Sequence, residues 1–249
     1  MRRRRLQRGC WSLLSALGAI LSLAVAASGS SAAEPASLEG MWKIETPQVA
    51  FRPEGGVVPF TAAGRKRYEK NKRALAEKRI GDFDFATARC ASPGLPRLML
   101  TPLRFRIWQR EGVILMQFEW NRLLRQIDMG GLVDPQIRVV NGPGHQGNAD
   151  DLVGRSTPIS RGHWEGDTLI VTSAGFADNT LIDNLVPHGY DLKLTEHLRL
   201  RGPDVLEDRV RIEDPATFTG AWDTVVTYRR VADEAFAEND CLDSLPANR

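Results

Sequence analysis

The sequence predicts a mainly β chain: an antiparallel up-and-down barrel, or a strongly curved sheet, of about nine strands with one N-terminal helix. Three observations lead there. Nine stretches carry the apolar alternation of half-buried strands, most neighbouring stretches are joined by short turns, and only one stretch carries a helical pattern. With so few helices to cross between parallel strands, a doubly wound fold is disfavoured. The roughly 216 residues from 34 to 249 fit one domain of this size.

The first strand is expected over Glu39–Glu45. Thr61–Arg79 follows as the helix, with Thr61 as N-cap candidate and a thin apolar side of Tyr68, Leu75 and Ala76. Eight basic residues crowd it, which suits a solvated face or a contact with an anionic surface. Strands are then expected at Leu98–Gln109, Val113–Asn121 and Leu123–Met129, the first two joined by Arg110-Glu111-Gly112. Ser160–Trp164 and Thr168–Ala174 form a hairpin across Glu165-Gly166-Asp167. Leu192–Arg201 and Val205–Glu213 form another across Gly202-Pro203-Asp204, and Thr219–Val231 is the last strand. Two long loops remain, roughly 130–158 and 175–191; loops beyond about 12–15 residues in a compact domain are usually functional or disordered.

Residues 1–33 read as a secretory signal peptide: five arginines, an apolar run from about Trp11 to Ala27, then small residues at Ser31 and Ala33. This predicts export to the periplasm. That segment holds five of the 33 basic residues and none of the 31 acidic ones, leaving 28 against 31 and a net charge of −3 in the remainder. A nucleic-acid partner thereby loses its main support, although the basic helix leaves room for a loose envelope association. Cys90 and Cys241 are the two cysteines outside the leader, and in an oxidising compartment they are expected to form one disulfide; two buried thiols are the alternative.

The stretch LKLTEHLRLR, 192–201, places Leu192, Leu194, Leu198 and Leu200 on one face and also puts Glu196 there. Pairing the hairpin with Leu200 opposite Leu206 sets Leu198 against Asp208, Glu196 against Val210 and Leu194 against Ile212. Two carboxylates then share the interior, where repulsion and desolvation raise the apparent pKa of the pair. Glu196 has two readings: a proton-transfer group, or half of a buried ion pair with Arg125 or another inward arginine. The loop before this strand brings Asp183, His188 and Tyr190 to one barrel end, and a histidine with a tyrosine suits proton exchange with a phenol or carbonyl. Phe118, Trp120 and Asn121 on the third strand are expected to line a cavity for a flat apolar ligand, with Asp208 and Asp183 nearby. No metal is expected, because His145, His163, His188 and His197 lack ligand spacing. There is no GxSxG elbow, P-loop or dinucleotide fingerprint, and no cofactor is expected.

The segment Gly154–Asp183, with Gly162, Trp164, Gly166, Asp167, Thr168, Leu169, Val171, Gly175, Phe176 and Asp178, resembles a large family of exported bacterial proteins mostly without assigned function. Further matches are Ala88–Leu100, Glu119–Gly131, His188, Glu196 and Arg199. The resemblance implies a lipocalin-like antiparallel β-barrel, and Gly40-Met41-Trp42 is similar to the lipocalin G-x-W opening. The chain departs from the family at Trp120 and Asp128, where tyrosines are usual, at Arg122, where a histidine is, and at Asp208, where a small apolar residue is. Fold-level likeness to phenolic acid decarboxylases, which proceed through quinone-methide intermediates, implies a cofactor-free lyase acting on a small aromatic or phenolic acid. Arg125 would then hold the substrate carboxylate, Glu196 transfer a proton, and Tyr190 with His188 handle the phenol. The alternative is a periplasmic carrier of hydrophobic small molecules, which needs a cavity but no proton-transfer group.

Overall fold

The computed structural model describes residues 37–84, 88, 92–130, 158–177 and 179–236. Its centre is a closed barrel of nine strands in sequence order: β1 Gly40–Ile44, β2 Arg104–Arg110, β3 Val113–Phe118, β4 Leu124–Asp128, β5 Ile159–Glu165, β6 Thr168–Ala174, β7 Lys193–Gly202, β8 Val205–Glu213 and β9 Trp222–Val231. The one α-helix, α1, is Ala62–Ala76. Cys90, Cys241, His145, Asp178 and the leader lie outside the described residues, so the disulfide and the signal peptide do too.

Eight of the nine neighbouring pairs are antiparallel, but β4 and β5 run parallel. This corrects the purely antiparallel expectation, and the reason is parity. A ring of nine strands cannot alternate direction all the way round, so at least one neighbouring pair must be parallel. The seam is also the shortest ladder: only Ile127↔Ser160 and Asp128↔Arg161 pair across it, whereas β7 and β8 share nine pairs. Gly162 lies beside the seam, where a Cβ would stand 2.7 Å from the Met129 sulfur and 2.9 Å from Ile127.

The β7–β8 register is Leu200↔Leu206, Leu198↔Asp208, Glu196↔Val210 and Leu194↔Ile212, as the alternation predicts. Three strand boundaries differ from expectation by more than one residue. Leu98, Met99 and Leu100 form a 3-10 turn in which all three are buried, because Leu98 and Met99 N–H groups donate back to Gly94 and Pro96 carbonyls; β2 begins at Arg104. The third strand ends at Phe118, since Trp120–Arg122 make a tight turn with Asn121 at φ 44° and Arg122 at φ 51°. The last strand begins at Trp222 because Phe218 bridges to Phe60 and the Thr219 N–H donates to the Pro59 carbonyl.

Helix α1 starts where Thr61 accepts a hydrogen bond from the Gly64 N–H at 2.9 Å and ends before Lys78, which turns left-handed at φ 60°. Its buried positions are Gly64, Asn71 and Ala74. A Cβ at Gly64 would come within 2.2 Å of the Thr217 carbonyl oxygen, so glycine allows the helix to sit against the β8–β9 loop. Asn71 donates to the Leu185 carbonyl and Arg67 to that of His188, each at 2.9 Å, which ties the helix to the β6–β7 loop. The barrel core packs Trp42, Phe105, Phe118 and Tyr228 with leucines and valines of β6 to β9. Phe105 meets Phe118 at 5.5 Å and Tyr228 edge-on at 4.9 Å.

Candidate functional site

Arg125 points inward from β4 and is completely buried. Its Nη1 donates to Glu196 Oε1 at 2.9 Å and to the Met116 sulfur at 3.7 Å. Nη2 donates to Glu196 Oε2 and to Ser173 Oγ, the latter at 3.0 Å, and Nε donates to Ser160 Oγ at 3.2 Å. A guanidinium has five N–H bonds, and here all five have an acceptor. The arrangement therefore leaves no donor of Arg125 to hold a substrate carboxylate, and the ion-pair reading of Glu196 is the one its geometry realises. Ser160 and Ser173 also bond to each other at 2.8 Å, so one arginine links β3, β5, β6 and β7 across the short parallel seam. Burial works against its charge, but the Glu196 carboxylate, with Asp208 and Tyr228, lifts Arg125 above its ordinary value.

Asp208 lies on β8 opposite Leu198 and Val226, fully buried, and neither carboxyl oxygen has a hydrogen-bond partner among the described residues. Burial first, and the Glu196 charge second, push it well above the usual carboxylate range, against the pull of Arg125. An ionised acid without donors is costly in such a place, so protonation is the cheaper state. Tyr228 on β9 donates its hydroxyl to the Met99 carbonyl at 3.1 Å; burial, followed by Asp208 and Glu196, raises its pKa well above normal. The spacing of the sequence did not single out Tyr228 for this cluster, although its place on the inward face of β9 was readable.

The loop residues fall in a different group. His188 is buried in the β6–β7 loop, with Nε2 at 2.9 Å from Thr180 Oγ1, Nδ1 at 2.7 Å from the Gly189 carbonyl, and Phe176 edge-on at 6.1 Å. Tyr190 is half-buried in the turn leading into β7. Asp183 is 2 % exposed and caps its own loop: Oδ1 accepts from Leu185 and Val186 N–H at 2.9 and 2.8 Å, Oδ2 from Phe51 N–H at 3.3 Å. Burial raises its pKa while those backbone bonds and Arg97 oppose the rise. Its oxygens thus bond to backbone N–H groups, and Asp183 takes its place in the loop wall at this end of the barrel. Of the expected lining residues on the third strand, Phe118 is inside the barrel, Trp120 is half-buried in the turn after β3 and packs against the core, and Asn121 is exposed in that turn. Strand alternation cannot continue through a turn, so it does not decide which way Trp120 and Asn121 face.

By binding Phe51, Asp183 helps close a cavity of about 350 Å³ at this end of the barrel, between the chain after β1, helix α1 and the β6–β7 loop. The Asn184 N–H adds a bond to the Val49 carbonyl at 3.1 Å. Its walls are mostly apolar, with Phe51, Val58, Phe60, Tyr68, Leu185 and Val186, and Arg65 stands among them. Four large hydrophobic residues are exposed among the described residues, and three of them, Val49, Val57 and Leu75, line this cavity. Sequence periodicity missed it because Val49–Phe60 is neither helix nor an alternating strand. Comparison with known proteins returned no matching family model and no similar curated protein.

Proposed function

We propose that the chain is a binding protein for small hydrophobic molecules, an exported carrier if residues 1–33 direct it as their pattern suggests, and that the cavity at the barrel end is its site. The observation that carries this reading is the gathering of Val49, Val57 and Leu75, 68 %, 70 % and 44 % exposed, around one apolar cavity. Exposed apolar side chains scattered singly need no explanation, whereas a cluster around a concavity is the usual mark of a ligand site. At about 350 Å³ the space lies at the small end of ligand pockets, which span roughly 300–1,000 Å³. Purified protein should bind the neutral dye N-phenyl-1-naphthylamine saturably at one site. The double variant Val57→Lys, Leu75→Lys should weaken that binding on the order of tenfold while leaving the melting temperature unchanged. Binding indifferent to both substitutions would place the site elsewhere and end this reading.

A second reading, a cofactor-free lyase acting on a small phenolic acid, is favoured by Asp208. A carboxyl group held toward its neutral form beside Glu196 is a proton donor in an apolar setting. In that scheme Asp208 delivers the proton and the Arg125–Glu196 pair stays structural. Turnover of a hydroxycinnamic acid without added metal or cofactor, lost in Asp208→Asn, is the expected result; turnover that survives the substitution excludes Asp208 as the donor.

A further inference from the structure

We propose that the ligand of the barrel-end cavity is an amphiphile, an apolar tail closed by an acidic head group, and that Arg65 reads the head. The inference rests on the cavity being a ligand site. Arg65 lines the cavity together with Phe60 and Tyr68, and its guanidinium carbon lies 4.5 Å over the first ring and 5.9 Å from the centre of the second. Stacking occupies the flat faces of a guanidinium and leaves the in-plane N–H fork, which matches carboxylate or phosphate oxygens. No described residue forms a hydrogen bond or an ion pair with that fork. Some surface arginines are matched by acids, Arg201 by Glu207 at 2.6 Å and Arg229 by Glu45 at 2.5 Å, and others such as Arg52, Arg73, Arg122 and Arg161 are not, among the described residues; what sets Arg65 apart is its place on the wall of the apolar cavity. The acid that lines the same cavity, Asp183, is committed to three backbone N–H groups. Around Arg65 the helix reinforces the preference for an anion, carrying six basic residues and one acid, Glu69, over Ala62–Ala76. An apolar cavity with an unmatched cation on its wall is complementary to a molecule that is apolar over most of its length and negative at one end.

Competition against N-phenyl-1-naphthylamine, with dodecanoate and dodecanol below their aggregation limits at pH 8, reads the head group directly. Dodecanoate should displace the dye at roughly one fifth of the dodecanol concentration, the effect expected of one partly exposed ion pair. Arg65→Gln should bring that ratio to about one, and Arg65→Lys should keep part of it. Lys70→Gln, on the same helix but on a face that does not line the cavity, should leave the ratio unchanged; a drop equal to that of Arg65→Gln would overturn the assignment in favour of the helix's general field. Equal displacement by both amphiphiles in the unmodified protein overturns the inference and leaves the cavity reading standing. Failure of the dye itself to bind removes the cavity reading and the inference with it. Sedimentation with phosphatidylglycerol but not phosphatidylcholine vesicles, without any preference for dodecanoate, would assign the basic helix to a lipid surface and overturn the proposal.

Discussion

The barrel interior and the cavity at its end handle charge in opposite ways. Inside, Arg125 meets Glu196 with every donor satisfied and Asp208 is driven toward neutrality, so the charges answer one another and the interior needs no ligand to balance them. At the barrel end Arg65 has rings beneath it and no acid opposite among the described residues, while exposed valines and a leucine surround an apolar space. Side chains that are closed on themselves are strong candidates for holding the barrel together. Side chains left open are where an outside molecule has something to gain.

The largest expected effect tests the closed half of that contrast. Glu196→Ala would leave the Arg125 guanidinium buried with two of its acceptors gone, and removing one partner of a buried pair typically costs about 3–5 kcal/mol. Urea denaturation should show that loss, with the seam between β4 and β5 the first part to exchange its amide protons. Replacing both partners, Arg125→Met with Glu196→Leu, should recover most of the stability, because no charge is then stranded. Dye binding by the folded fraction of Glu196→Ala should stay near that of the unmodified protein, since neither residue lines the cavity. If it collapsed with stability intact, the two regions would not be the separate devices described.

How far the sequence alone reached follows the same division. The β7–β8 register was legible because two strict alternations meet at a Gly-Pro-Asp turn, and one correct pairing fixes every other side chain in the hairpin. That was enough to put Glu196 and Asp208 inside, while an ion pair with Arg125 stood as one of two readings of Glu196 and Arg125 was also expected to hold a substrate carboxylate. What alternation could not carry was closure. Nine strands force a parallel seam somewhere, and nothing in the local pattern of β4 or β5 marks it. Leu98–Leu100 reads as a strand because its residues are apolar, yet burying three in succession is what a helical turn does. The end cavity was hidden for a deeper reason: its walls come from a segment without periodicity, a helix and a loop distant in sequence. His188 and Tyr190 were placed in the right loop, but position in a loop does not disclose contacts, and the His188 bonds to Thr180 and Gly189 are local ones.

A smaller effect sharpens the contrast from inside the barrel, where Asp208 in the Arg125 cluster has no hydrogen bond among the described residues. Its folded-state pKa is raised, by burial first and by Glu196 second, above an unfolded value of about 3.9. Between those two values the folded chain keeps a proton that the unfolded chain has released, so the unfolded state binds fewer protons and stability falls as pH rises. The contribution is fully present below about pH 3.9 and is lost progressively up to the folded pKa, with a slope no steeper than about 1.4 kcal/mol per pH unit. Asp208→Asn removes the ionisation and keeps the shape. Urea unfolding at pH 5 and pH 7 should therefore show a larger drop in the unmodified protein than in the variant, with Glu196 and all other groups common to both. A variant that loses the same stability over that interval would mean Asp208 does not take up the proton, and that the interior carries a second negative charge which its bonds to Arg125 leave unanswered.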